Sequence, residues 1–223
     1  MTPDRADRTL LERLSALDTC VVSDALDTIG RTGAVLGIHP LWPVDRVVAG
    51  RVRPVKAGPR RTDGPSTHIA SPLVDRIDRG EVIVIANGGR VDVSCWGGIL
   101  AYAGRSHGVE AVIIDGACRD IAESERLDLP VFGRAVVQVS ARGRIVQEDM
   151  DVPIDFAGVV VERGDYVVAD RCGVVFVTRS EAERVISLAE RIVERERQMV
   201  EAVGAGRSVT EVMHDTQFPA EEG

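Results

Sequence analysis

Arg119 and Asp120 are followed three residues later by Glu123, and this Arg-Asp-x-x-Glu run stands directly behind Asp115-Gly-Ala-Cys118. On a helix, Asp120 and Glu123 share one face, and Arg119 and Glu123, four apart, are also neighbours. Two carboxylates so placed repel each other unless a cation joins them. Oxygen ligands suit a hard divalent ion, Mg²⁺ or Mn²⁺, that retains several waters. The adjacent guanidinium can fork onto a substrate carboxylate or a developing enolate oxygen. Gly97 and Gly98 open a predicted helix, where unblocked backbone N–H groups can receive an anion. Together these parts describe a cation-assisted site for a small oxo-acid. The same residues also admit a plainer assignment, in which Arg119–Glu123 is a surface pair worth ~0.3–0.5 kcal/mol and Asp120 is the N-cap of its helix.

Positioning falls to the stretch from Cys95 to Pro130. It reads as a Gly-led helix, a buried strand, a tight turn at Asp115-Gly116, and a second helix opening on Arg119. The run Ala111 to Ile114 is short, β-branched and bounded by Gly108 and Asp115-Gly116, which predicts a core strand. Asp115 to Asp120 then fall at the carboxyl edge of a sheet, where ligands bind in open α/β folds.

Upstream, Leu10, Leu11, Leu14 and Leu17 share a helical face with Thr9 as its cap, after a frayed start from Met1 to Asp7. A second short helix is expected to start near Ser23 or Asp24 and to close at Gly30 or Gly33. Val47 to Val55 predicts a half-exposed strand with Arg51 and Arg53 on one face. Lys56 to Pro65 reads as a flexible loop, and the basic run Arg51, Arg53, Lys56, Arg60 and Arg61 as a solvated loop edge or an anion-attracting rim rather than a nucleic-acid groove reader. His68 is placed early in a helix running to about Asp78, as a candidate catalytic or substrate-orienting group. Glu81 to Ala86 is a strand ended by an Asn87-Gly-Gly turn.

Downstream, Val131–Phe132, Ala135–Val139 and Ile145–Gln147 read as short strands. Val159–Val161, Tyr166–Ala169 and Val174–Val177 form a second β cluster, with Asp170-Arg-Cys-Gly as a hairpin turn. Ser180 caps a helix from Glu181 to about Val203, whose ~22 residues reach ~33 Å, longer than one small core requires. Residues 1–180 are therefore expected to form one α/β domain. Residues 181–223 are expected to supply a C-terminal helix and tail that pack on a neighbouring subunit.

The frame WGGILAYAGRSHGVEAVIIDGACRD, with twenty residues between Gly98 and Arg119, resembles the signature of the RraA-like family. Ser23-Asp-Ala-Leu26, Asp63 to His68 and the Gly80-Glu-Val-Ile-Val-Ile-Ala entry are also similar to family landmarks, so the resemblance covers roughly Leu10 to Arg191. That family holds class II 4-hydroxy-4-methyl-2-oxoglutarate/4-carboxy-4-hydroxy-2-oxoadipate aldolases and regulators of ribonuclease E. It also holds members once labelled demethylmenaquinone methyltransferases, a label that no Gly-rich nucleotide loop in this chain supports.

The resemblance implies a layered α/β/β/α swivelling-type domain with a central mixed sheet, assembled as a homo-oligomer, trimer or hexamer. It implies that Asp120 binds Mg²⁺ or Mn²⁺ and that Arg119 holds the pyruvyl oxygens and stabilises the enolate. Backbone N–H groups of Gly98, Ile99 and Leu100 take the substrate carboxylate. Family aldolases carry an acidic residue where this chain has Gly98, and here Glu123 supplies the second carboxylate. A neighbour's C-terminal acid, with Glu194, Glu196 and Glu201 as candidates, can complete the site. The implied activity is release of pyruvate from a 4-hydroxy-2-oxo acid, with oxaloacetate decarboxylation alongside. A non-catalytic regulator that binds an RNase or helicase partner, and a specialised biosynthetic lyase, are the alternatives.

Composition sets the bounds. At 223 residues and 44% hydrophobic content the chain can core one domain with a helical appendage. A net charge of −8 argues against a nucleic-acid surface. The four cysteines show no metal-ligand or disulfide spacing, and Cys118 beside Arg119 is at once a candidate thiolate and a candidate core residue. With no leader pattern and no apolar run long enough to span a bilayer, a cytoplasmic protein without membrane partners is expected.

Overall fold

The structure, a computed structural model, describes residues 5–64 and 66–214. The expected frayed start falls partly, and the polar tail almost wholly, outside the described residues. In chain order the elements are α1 (Arg5–Leu14), α2 (Thr19–Thr28), β1 (Ala34–Val35), β2 (His39–Pro40), β3 (Val48–Pro59), α3 (Ser71–Val74), β4 (Glu81–Trp96), α4 (Gly98–His107), β5 (Ala111–Cys118) and α5 (Ile121–Arg126). They continue with β6 (Val131–Gly133), β7 (Ala135–Val136), β8 (Ile145–Met150), β9 (Ile154–Phe156), β10 (Val159–Val161), β11 (Tyr166–Ala169), β12 (Val174–Val177), α6 (Ala182–Gly204) and α7 (Val209–Val212).

One mixed sheet runs β1-β12-β11-β3-β4-β5-β6-β2, with β8 added to β3 and β7 to β5, while β9 and β10 form a separate hairpin. The neighbours β3, β4, β5 and β6 are parallel, and β11 joins β3 antiparallel. Strand alternation sorts the side chains into three cores. Ile83, Ile85, Val112 and Ile114 face α3, α4 and α5. Val52, Val84, Ile113, Val167 and Phe176 meet in the inner layer of the curled sheet. Tyr166, Val168, Val175 and Val177 face α1, α2 and α6. This is the expected helix–sheet–sheet–helix layering with a mixed central sheet. β5 is buried at every residue, as its β-branched run requires at the sheet's centre.

The predicted leucine face of α1 holds: Leu14 and Leu17 are buried, and Leu10 and Leu11 pack against the same cluster. Its start does not, because α1 begins at Arg5, before Thr9. Asp7 accepts from Arg51 and from the Tyr166 hydroxyl, which anchors this end on β3 and β11. The second helix is capped by Asp18, whose carboxylate accepts Val21 N–H at 2.9 Å, so Ser23 and Asp24 lie inside α2.

Arg53 is buried rather than half-exposed. It forks onto Asp151 at 2.7 and 2.8 Å and reaches Glu81 at 2.7 Å. Burial alone would lower its pKa, but these bonds outweigh it and the guanidinium is held above its ordinary range. The loop expected from Lys56 starts late, because Lys56 to Pro59 continue β3 and pair with β8 across a bulge at Lys56/Ala57. That distant partner strand rescues a Gly- and Pro-rich segment that local propensity reads as coil.

Asn87-Gly-Gly does not end its strand either. Gly88 and Gly89, at φ 59° and 72°, let β4 bend outward between Ala86 and Arg90. It then returns to β5 as far as the pair Trp96↔Cys118. The helix after His68 is a single turn, and His68 precedes it. The Asp170–Gly173 hairpin turn closes as expected, with Asp170 N–H on Gly173 O at 3.0 Å. α6 buries Val185, Ile186 and Ala189 in its own chain's core, and leaves Val193, Val200 and Val203 exposed further along. Among the described residues no helix is long and apolar enough to cross a membrane.

Candidate active site

β4 and β5 end side by side, and the two chain exits define the site. Trp96 O accepts Arg119 N–H at 3.0 Å, so the turn into α5 is stitched to the turn into α4. The strand reaches Cys118, which leaves Asp115 inside the sheet rather than in a turn. The residue is 4% exposed, and its carboxylate accepts from Arg134 Nε at 2.6 Å and from Gly89 N–H at 3.0 Å. Only Arg119 and Asp120 project past the edge.

Asp120 sits where an N-cap of α5 would be, but at φ 56° its side chain makes no cap bond to that helix. It turns to α4 and accepts Gly98 N–H at 2.9 Å. A carboxylate there meets the positive end of α4. Arg119 Nε lies 3.3 Å from Asp120 Oδ2, and both side chains are about two-fifths exposed, so this pair adds little stability by itself. The i,i+4 pair between Arg119 and Glu123 does not form, since Glu123 bonds Arg126 at 3.1 Å.

The glycines leave the room this arrangement uses. A Cβ on Gly97 would lie 2.9 Å from Asp120 Oδ2 and 3.1 Å from Arg119 Nε. One on Gly98 would lie 3.2 Å from Glu123 Cγ and 3.4 Å from Asp120 Cβ. The stems of both carboxylate side chains therefore converge over Gly98. Helical hydrogen bonding in α4 starts with Ala101 N–H on Gly97 O at 3.0 Å. Asp120 occupies the Gly98 donor, and the Ile99 and Leu100 N–H groups precede that first helical bond.

His68, Arg119 and Gly97 to Leu100 line one cleft of about 80 Å³. That suits the head of a small acid rather than a drug-sized ligand. His68 is exposed, and its Nδ1 lies 3.1 Å from Ile69 O. A carbonyl can only accept, so Nδ1 carries the proton and Nε2 of the neutral ring is left as acceptor. Larger hollows of about 440 and 660 Å³ lie beside Arg31 and beside Arg179, but none of these sequence-predicted groups lines them. Among the described residues no cluster of three or more His, Cys, Asp or Glu is gathered, so the chain brings two carboxylates and no third ligand. In α6, Glu194 and Glu201 bond Arg197 of their own helix.

Cys118 is not a thiolate: burial pushes its thiol up to about 12. The residues that sequence reasoning missed are Ser94, Cys95, Trp96, Ser140 and Ala141, which complete the cleft wall. Ser140 arrives because Ser94 N–H binds Val139 O at 2.9 Å, a pairing across 45 residues with no local signal. The turn after Ser140 also joins the arginine-rich loop to the cleft, since Arg60 N–H donates to Arg144 O at 2.8 Å.

The fold and site define a parallel-centred curled α/β sheet with an Arg-Asp pair over a helix N-terminus. The Aldolase/RraA model of the RraA-like family matches residues 19–176, and the chain belongs to that family. Protein DlpA of Legionella pneumophila is 27% identical over 92% of this chain, which spans only 33% of DlpA's length. A Halalkalibacterium halodurans protein named "Putative 4-hydroxy-4-methyl-2-oxoglutarate aldolase" is 29% identical, covering 84% of this chain and 85% of its own. The crystal structure of an uncharacterized Pseudomonas syringae pv. tomato protein superposes with a TM-score of 0.86 at 29% identity, covering 95% of this chain and 94% of its own.

Proposed function

We propose that this protein is a divalent-metal-dependent lyase of the pyruvate-aldolase type, releasing pyruvate from a 4-hydroxy-2-oxo acid. The observation that carries the reading is the convergence of Arg119, Asp120 and Glu123 on the Gly98 end of α4, with His68 on the same cleft. The aldolase names of relatives support the reaction class.

Two carboxylates over a glycine floor fit Mg²⁺ or Mn²⁺, which take one or two carboxylates and fill the remaining positions with water and substrate oxygens. Asp120 and Glu123 would hold the ion, which when bound supplies Lewis-acid polarisation of the oxo-acid. Arg119 forks onto the substrate's oxo-acid oxygens and stabilises negative charge on the enolate as the C3–C4 bond breaks. Ile99 and Leu100 N–H groups receive the carboxylate at the positive end of α4. His68, with Nε2 free to accept, takes the C4 hydroxyl proton directly or through one water. Oxaloacetate reaches the same enolate by losing CO₂, so its decarboxylation accompanies the main activity.

The test is pyruvate release from oxaloacetate and from 4-hydroxy-4-methyl-2-oxoglutarate, corrected for the metal-only background. Chelator is expected to abolish turnover, Mg²⁺ or Mn²⁺ to restore it, and Asp120→Ala to lose it while remaining folded by circular dichroism. No turnover above background on either substrate would sink the reading and favour a binding role. A second expectation concerns the close approach at Gly97. Gly97→Ala pushes Asp120 and Arg119 aside and is expected to lower kcat/KM about 10²-fold with Tm nearly unchanged, since the three nearest atoms it meets all belong to side chains rather than backbone.

A further inference from the structure

Outside the cleft, α2 starts against the β11–β12 hairpin. Thr19 donates to the Asp170 carboxylate twice, from N–H at 2.8 Å and from its hydroxyl at 2.7 Å. Cys172 N–H donates to the same carboxylate at 2.8 Å. One aspartate thus holds two segments that are distant in sequence, and sets Cys20, the residue after Thr19, beside Cys172. Both cysteines are exposed, whereas Cys95 and Cys118 are buried, and the Cys172 side chain is near enough to Cys20 to raise its thiol pKa.

We infer that Cys20 and Cys172 are a redox-modification site, forming a reversible intrachain disulfide that ties α2 to the β11–β12 hairpin when a peroxide is present. One thiolate attacks the peroxide O–O bond, giving a sulfenic acid and, after protonation, water. The second thiol attacks the sulfenic sulfur, the S–S bond forms, and a second water leaves. The two sulfurs give up two electrons and the peroxide oxygens accept them. A small dithiol reverses the step by exchange.

The surroundings set the pace. Partial desolvation, the Cys172 side chain, and then Asp18 and Asp170 all hold the Cys20 thiol above its ordinary value, so Cys20 responds slowly to oxidant at neutral pH. Neither cysteine lines the cleft, which leaves the proposed chemistry out of this site's reach.

The full chain is treated with hydrogen peroxide, alkylated, and digested without reduction. Expected is a cross-linked peptide joining Cys20 to Cys172, lighter by two hydrogens than its two parts. Thiols titrated in denaturant fall from the four free cysteines to two, and dithiothreitol restores them. The oxidised form shifts to higher Tm because the bond restricts the unfolded chain. Cys20→Ser and Cys172→Ser each remove both effects. Absence of that peptide in the wild-type chain, or capture of the two cysteines only as separate sulfenic acids or interchain dimers, overturns the assignment.

Discussion

Arg119→Ala is expected to lower kcat/KM for metal-dependent pyruvate release by about 10²–10³-fold, with Tm almost unmoved. The guanidinium stands on the cleft wall with about two-fifths of its side chain exposed, and its one ion pair among the described residues is a 3.3 Å contact to Asp120. Its removal therefore costs the fold little. Its proposed task, by contrast, exists only as charge develops on the departing enolate. Arg119→Lys is expected to recover little, because an ammonium on a flexible stem cannot reproduce two parallel hydrogen bonds. Steady-state kinetics on both substrates, beside a melt of each variant, check this. Near-normal turnover in Arg119→Ala would remove the residue from the mechanism.

The largest stability effect is expected at Arg53. Arg53→Met should lower the unfolding free energy by about 3–5 kcal/mol and Tm by roughly 10 °C. Arg53 is 3% exposed and binds three carboxylate oxygens, two on Asp151 and one on Glu81. It thereby ties the residue after β8 to the parallel pair β3–β4. Removing it takes the shared cation from two carboxylates, each about one-fifth exposed or less, and leaves Asp151 only a 3.4 Å contact to the exposed Arg163. Neutralising both partners as well, in Arg53→Met with Glu81→Gln and Asp151→Asn, should return part of the loss, because no unpaired charge then remains near the core. Thermal melts of the single and triple variants decide it. Equal destabilisation in both would show that packing of the arginine stem, rather than charge pairing, holds this corner.

These two arginines mark the difference between a readable and an unreadable position. Arg119 was legible because its meaning is local: it follows a β-branched strand, precedes a helix, and sits next to Asp120. Arg53 was misread because it alternates with apolar residues, the pattern of a strand with one wet face. Its partners are 28 and 98 residues away. Lys56 to Pro59 failed for the same reason, since β8 supplies the hydrogen bonds that make this stretch a strand.

At the site, Asp120 was legible as a carboxylate at a helix start, but its direction was not. Its own helix and α4 both offer backbone donors. The choice of Gly98 N–H depends on β4 and β5 ending at the same level, a matter of register between strands. Glu123 was equally legible as its neighbour one turn on. Its place over Gly98 depends on that glycine having no side chain.

The sequence by itself determined the core strand at Ala111–Ile114, the Gly-led α4, the hairpin at Asp170–Gly173, the amphipathic α1 and α6, and the presence of an Arg-Asp-x-x-Glu group at a strand's carboxyl edge. Each is written in residues that touch within a turn or two, where periodicity and turn chemistry act. The tertiary structure alone decided that His68 and Ser140 meet Arg119 at one cleft, that Asp120 caps the neighbouring helix, that Arg53 is buried, and that Cys20 lies against Cys172. Each of these depends on how distant segments pair in the sheet, and no local pattern records which strand a segment will find.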